Sequence, residues 1–142
     1  MGIVGGSNTI LIVEDDPALV HAISRNLAIR GHGGVSATSV AEALAALQGG
    51  CPALLVLDID LPDGSGWEVL RALRAGGCTD TPAIVISALR PNPRLVKELH
   101  CIAELEKPFP MEALLRLVTE ALAGRQEHPS GEVSSERSPT HG

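Results

Sequence analysis

Four points of the chain carry side chains able to work together: the carboxylates Glu14-Asp15-Asp16, the carboxylate Asp58, the hydroxyl Ser87 and the ammonium Lys107. Carboxylates gathered in one place repel, and several cannot stay ionised without a counter-charge. A hard divalent cation relieves that repulsion, and Mg²⁺ suits oxygen donors, taking one or two carboxylates plus a phosphate. A hydroxyl and an ammonium opposite would suit the oxygens of a phosphoryl group. Asp58 between them would be a nucleophile forming an acyl phosphate. Such a transfer needs mainly positioning and charge neutralisation. Taken alone, Asp58 reads by default as the first polar residue of a turn, since Pro62-Asp63-Gly64 follows it. What decides between the two is whether the fold brings the other groups to it.

The elements around these residues are predicted to do so. Leu54-Leu55-Val56-Leu57 and Ile10-Leu11-Ile12-Val13 are unbroken aliphatic runs that end in carboxylates, and Ala83-Ile84-Val85-Ile86 ends at Ser87. Such runs suit strands buried on both faces of a parallel sheet. Val35-Ser36-Ala37 is shorter and weaker, and Ile102 to Glu106 alternates, so both belong at sheet edges. Helices are expected from Pro17, with Asp16 as its cap, to Gly31, and from the box Ser39-Val40-Ala41-Glu42 to Gly49. Further helices start at the box Ser65-Gly66-Trp67-Glu68 and at Asn92-Pro93, and the last covers Glu112 to Leu122. Alternating strands and helices predict an α/β, doubly wound, five-stranded parallel sheet with helices on both faces. The carboxyl ends of its strands, where such sheets place their ligand crevices, would gather Glu14, Asp15, Asp58, Ser87 and Lys107.

Composition sets the bounds. The chain has 142 residues, a formal charge of −6 and a hydrophobic fraction of 44% with almost no aromatics. That balance argues against phosphate-backbone binding and base stacking, so direct nucleic-acid binding is not expected. Residues 1–8 read as a flexible leader, residues 9–123 as the folded domain, and residues 124–142 as a disordered tail rich in Ser, Glu, Pro and His. No signal peptide or membrane span is legible. Cys51, Cys78 and Cys101 lack metal or redox spacing and are expected to be reduced thiols of a cytoplasmic protein. The five histidines show no ligand spacing, and Trp67 reads as a packing residue.

Val13-Glu14-Asp15-Asp16-Pro17, Leu57-Asp58-Ile59-Asp60-Leu61-Pro62-Asp63-Gly64, Ile86-Ser87-Ala88 and Lys107-Pro108-Phe109 together resemble the receiver domain of two-component response regulators. The resemblance implies a flavodoxin-like fold with strand order 2-1-3-4-5. It further implies that Asp58 accepts a phosphoryl group from a sensor histidine kinase or a phosphotransfer protein, with Mg²⁺ (or Mn²⁺) as cofactor. Asp15 and Asp58 would bind the cation directly, Glu14 through a water, and Asp60 through its backbone carbonyl. Asp60 could also affect how fast water attacks the phosphoryl group. Ser87 and Lys107 would contact the phosphoryl oxygens, and the Lys107-Pro108 bond would be cis. No separate substrate turnover is implied beyond the chain's own phosphotransfer and dephosphorylation. The output would pass through an unidentified protein partner, or a homodimer through the face formed by helix 4, strand 5 and helix 5, with no output domain in this chain.

Two features depart from the family pattern. Glu104 stands where a switch aromatic is usual, and the stretch from Ser87 to Lys107 is about two residues short. They leave open an alternative, a degenerate receiver that binds proteins without being phosphorylated. A third reading, a haloacid-dehalogenase-type phosphatase, rests on Asp58-Ile59-Asp60 alone, and those enzymes carry that motif on an early strand and add a cap domain.

Overall fold

A computed structural model describes residues 9–127. Five parallel strands form one sheet: β1 (Thr9–Val13), β2 (Gly33–Ala37), β3 (Leu54–Asp58), β4 (Ala83–Ser87) and β5 (Ala103–Glu106). Their order is β2-β1-β3-β4-β5, the flavodoxin-like arrangement the resemblance implies. Pairing runs Val13 to Leu57, Asp58 to Ile86, and Ser87 to Glu106, so the strands finish nearly level at one edge. The helices between them are α1 (Pro17–Ile29), α2 (Val40–Leu47), α3 (Gly66–Ala75), α4 (Pro93–Glu98) and α5 (Met111–Glu127).

Alternation along each strand divides the core in two. Leu11, Val13, Leu55, Leu57 and Val85 face α2 and α3, where they meet Val40, Ala43, Val69, Leu70 and Leu73. Ile10, Ile12, Leu54, Val56, Ile84 and Ile86 face α1 and α5, against Ile23, Leu27, Leu114, Leu115 and Val118. The three central strands bury both faces, as their unbroken aliphatic runs require, whereas β2 and β5 are edge strands. Trp67 packs into the α2–α3 side, as expected.

Local signals explain most helix starts. Asp16 accepts the Ala18 N–H and Asn92 accepts the Arg94 N–H, each just before a first-turn proline. Ser65 and Glu68 form the full reciprocal box. The box expected at α2 is only half made. Ser39 accepts the Glu42 N–H, but the Glu42 carboxylate reaches past Ser39 to the N–H and hydroxyl of Thr38, which together offer two donors. Helix α5 extends beyond the expected end at Leu122, through Gly124 to Glu127. The expected leader, and the tail beyond Glu127, lie outside the described residues.

The cysteine expectation fails. Cys51 and Cys78 form a disulfide with a Cα–Cα distance of 5.5 Å, and only Cys101 is a free thiol. Spacing could not reveal this, because the two residues are 27 apart. The sheet brings them together: β3 and β4 are neighbours, and these cysteines lie in the loops that lead into them. The same loops are joined by the Thr81 hydroxyl, which donates to the Pro52 carbonyl. Arg74 ties the loop into β4 to the loop into β5, its guanidinium donating to the carbonyls of Cys78 and Thr81 and to those of Leu99 and His100.

Candidate functional site

At the carboxyl edge of the sheet, β1 delivers Glu14 and Asp15, β3 delivers Asp58, and the chain after β5 delivers Lys107. Glu14 and Asp58 are almost wholly buried, at 1% and 2% exposure, whereas Asp15 faces solvent. One oxygen from each of the three carboxylates lies within 4.8 Å of the others. The Lys107 ammonium sits 2.9 Å from Glu14 Oε1 and 3.2 Å from Asp58 Oδ2. Asp58 Oδ1 accepts the Asp60 N–H at 3.2 Å, and Glu14 Oε2 accepts the Asp16 N–H at 3.0 Å. The Lys107-Pro108 peptide is cis, as the resemblance implies.

The electrostatics follow from this crowding. Burial pushes the Glu14 carboxyl above its ordinary value; contact with Lys107 and the Asp16 N–H offsets part of the rise, and the nearby Asp58 charge adds to it. Burial alone would lower the Lys107 ammonium, but the Glu14 and Asp58 carboxylates in contact with it outweigh that and raise it overall. Glu14 Oε1 is buried without a well-directed hydrogen bond, although the ammonium is near enough for an ion pair. A buried carboxylate oxygen with no directed donor, beside two more carboxylate oxygens, fits a hard cation. Glu14, Asp15 and Asp58 are the residues able to hold one among those described.

Ser87 is buried at the end of β4, but its hydroxyl donates to the Leu89 carbonyl in the following loop rather than to Asp58. Asp60 has an exposed side chain, and Asp16 is occupied as the α1 cap. The structure therefore brings together Glu14, Asp15, Asp58 and Lys107, and leaves Ser87 adjacent but engaged elsewhere. Glu104, on the edge strand β5, is exposed.

Two residues near the site escaped the sequence reading. Gly66, the first residue of α3, has no room for a side chain: an added Cβ would lie 2.3 Å from the Asp58 carbonyl oxygen and 2.9 Å from the Ile59 Cα. Its N–H donates to the Ile59 carbonyl, so α3 starts hard against the end of β3. Asp63 spans the gap to α2, accepting the Val40 N–H at 2.7 Å and the Ala41 N–H at 3.0 Å. The sequence signal for Gly66 was its place inside a capping box directly after the candidate acceptor. Asp63 gave none, because its partners are more than twenty residues away.

Comparison with known proteins gives the family and agrees with the fold. The profile of the response regulator receiver domain matches residues 10–119. The chain belongs to that family. Transcriptional regulatory protein KdpE of Mycobacterium tuberculosis is 34% identical over 133 residues, which are 89% of this chain and 58% of KdpE. Acid tolerance regulatory protein ActR of Rhizobium meliloti is 31% identical over 95% of this chain and 70% of its own length. The chain thus spans little more than half of KdpE. Among solved structures, a CheY-like receiver domain protein from Methanospirillum hungatei superposes with a TM-score of 0.77 at 26% identity, covering 84% of this chain and 97% of that one. TrrA from Thermotoga maritima, solved in complex with Mg²⁺-BeF, gives 0.71 at 26% identity over 81% of this chain and 99% of its own. None of the described helices of this chain is long and apolar enough to cross a membrane.

Proposed function

We propose that this receiver domain accepts a phosphoryl group on Asp58 from the phosphohistidine of a histidine kinase or phosphotransfer protein. The observation that carries the reading is the buried Asp58 carboxylate in contact with Lys107 and clustered with the carboxylates Glu14 and Asp15. In the reaction, an Asp58 oxygen attacks phosphorus, a P–O bond forms, and the P–N bond of the donor breaks with its electron pair returning to the imidazole. A bound Mg²⁺ (or Mn²⁺) would neutralise charge on the phosphoryl oxygens. Asp15 and Asp58 would hold it directly, with Glu14 acting through a water and Asp60 through its carbonyl. Support for the cation also comes from TrrA, which was solved in complex with Mg²⁺-BeF. Lys107, within hydrogen-bond reach of Asp58, would pair with the transferred group. Ser87 would contribute once its hydroxyl leaves the Leu89 carbonyl.

Signalling would proceed through a protein partner, or through self-association on the face of α4, β5 and α5, rather than through bound nucleic acid. A cytoplasmic setting fits a kinase partner, although the Cys51–Cys78 disulfide is a bond rarely kept there. One observation favours the alternative of a receiver that signals without phosphate: Glu104 is exposed on β5 where the family's switch aromatic would stand. Incubation with Mg²⁺ and acetyl phosphate separates the two. Under the proposed reading the intact mass rises by a single phosphoryl group, and Asp58→Asn abolishes the gain. A chain that gains none would be the phosphate-independent module, and turnover of phosphomonoesters would mark a phosphatase.

A further inference from the structure

The loop between Asp58 and α3 carries Asp60, whose carbonyl the proposed function assigns to the cation. Its base is well fixed. The Ile59 N–H donates to the Ile86 carbonyl, the Gly66 N–H donates to the Ile59 carbonyl, and Asp60–Leu61 pairs antiparallel with Gly64–Ser65 in a minimal hairpin. The tip, Pro62-Asp63, stands out in solvent. What ties the tip to another element is the Asp63 carboxylate, which takes the first two amides of α2 on its two oxygens, at 2.7 and 3.0 Å. Those contacts hold the Asp63 carboxyl below its ordinary value, chiefly through the Val40 N–H and then the Ala41 N–H.

Helix α2 is itself anchored to the site from the other side. The Glu14 N–H donates to the Ala37 carbonyl at the end of β2. The next residue, Thr38, donates its N–H and hydroxyl to the Glu42 carboxylate in the first turn of α2. A closed circuit of contacts therefore runs from Glu14 through the end of β2, the start of α2, Asp63 and the hairpin to Asp60. It returns through Asp58 and Lys107 to Glu14. Asp63 is the link of that circuit between α2 and the acceptor loop.

We propose that Asp63 is a positioning residue of the phosphoacceptor site: by clamping the loop tip to α2 it fixes the hairpin that presents the Asp60 carbonyl to the cation. The inference rests on the proposed cation-dependent reading, and it goes beyond simple capping. Ser39 already caps α2 through the Glu42 N–H, so a helix-stability role and a site-positioning role can be separated by which cap is removed.

The test is a Mg²⁺ titration of the full chain by calorimetry, with the Asp63→Ala, Asp63→Asn and Ser39→Ala variants in parallel and thermal unfolding of each. Residues that hold a ligand from behind typically cost ten- to a hundredfold in metal affinity, so Asp63→Ala is expected to weaken Mg²⁺ by about tenfold. Asp63→Asn, which keeps one acceptor oxygen, should fall between it and the native chain. Ser39→Ala should lower the unfolding midpoint comparably but leave Mg²⁺ affinity unchanged. Unchanged affinity in Asp63→Ala overturns the positioning role while leaving the proposed function standing. Equal losses in Asp63→Ala and Ser39→Ala also overturn it, reducing Asp63 to a helix cap. A native chain that binds no Mg²⁺ overturns the parent reading and this inference together.

Discussion

At the scale of single residues, the site is governed by how little space and how much charge surround Asp58. Gly66 illustrates the first: with its N–H on the Ile59 carbonyl, a methyl group at that position must displace the backbone of β3 or of α3. Gly66→Ala is expected to destabilise the domain by at least the 1–3 kcal/mol typical of overpacking, read from denaturant unfolding, and to slow phosphorylation of Asp58. Charge works in the opposite sense for the two partners of the ion pair. Asp58→Asn removes one of the crowded carboxylates and should raise the unfolding midpoint in metal-free buffer. Lys107→Met leaves Glu14 and Asp58 buried without their cation and should lower it. A midpoint that moves the same way in both variants would contradict this picture of the site.

At the scale of elements, carboxylates hold the start of α2. Hydrogen bonds from Val40 and Ala41 lower the Asp63 carboxyl, and those from Thr38 lower Glu42. A depressed folded-state pKa means that the unfolded chain binds protons first. The stabilisation is therefore complete above the ordinary carboxylate range and is lost as the pH falls through the depressed values. The unfolding midpoint should drop as the pH goes below about 4, and Asp63→Asn combined with Glu42→Gln should flatten that drop. These contacts also mark where sequence reasoning stops at this scale. The strands were legible because runs such as Leu54 to Leu57 have one physical explanation, burial on both faces. The caps at Asp16, Asn92 and Ser65 were legible because their partners lie within three residues. Glu42 looked like a standard box but found the two donors of Thr38 instead, and Asp63 bonds to residues that only the folded sheet brings near.

At the scale of the whole molecule, the sheet decides what spacing cannot. The convergence of Glu14, Asp15, Asp58 and Lys107 was readable, because parallel strands carry their carboxyl ends to one edge whatever their order. The Cys51–Cys78 bond was not, because it depends on β3 and β4 being neighbours at the opposite edge. Ser87 was placed correctly on its strand, but the rotamer that turns its hydroxyl to Leu89 depends on a loop without periodic pattern. For the disulfide, closure of the 27-residue separation predicts that Cys51→Ser with Cys78→Ser, or reduction, costs roughly 3–4 kcal/mol in denaturant unfolding. A loss near zero would mean that the bond does not form in solution.

Every proposed role of the site residues depends on Asp58 becoming an acyl phosphate. The most direct measurement is borohydride reduction after treatment with acetyl phosphate and Mg²⁺, followed by peptide mapping, since reduction of an aspartyl phosphate leaves homoserine in place of the aspartate. Homoserine at position 58, lost when the cation is chelated, is the predicted result. Homoserine at another carboxylate, or at none, would contradict it.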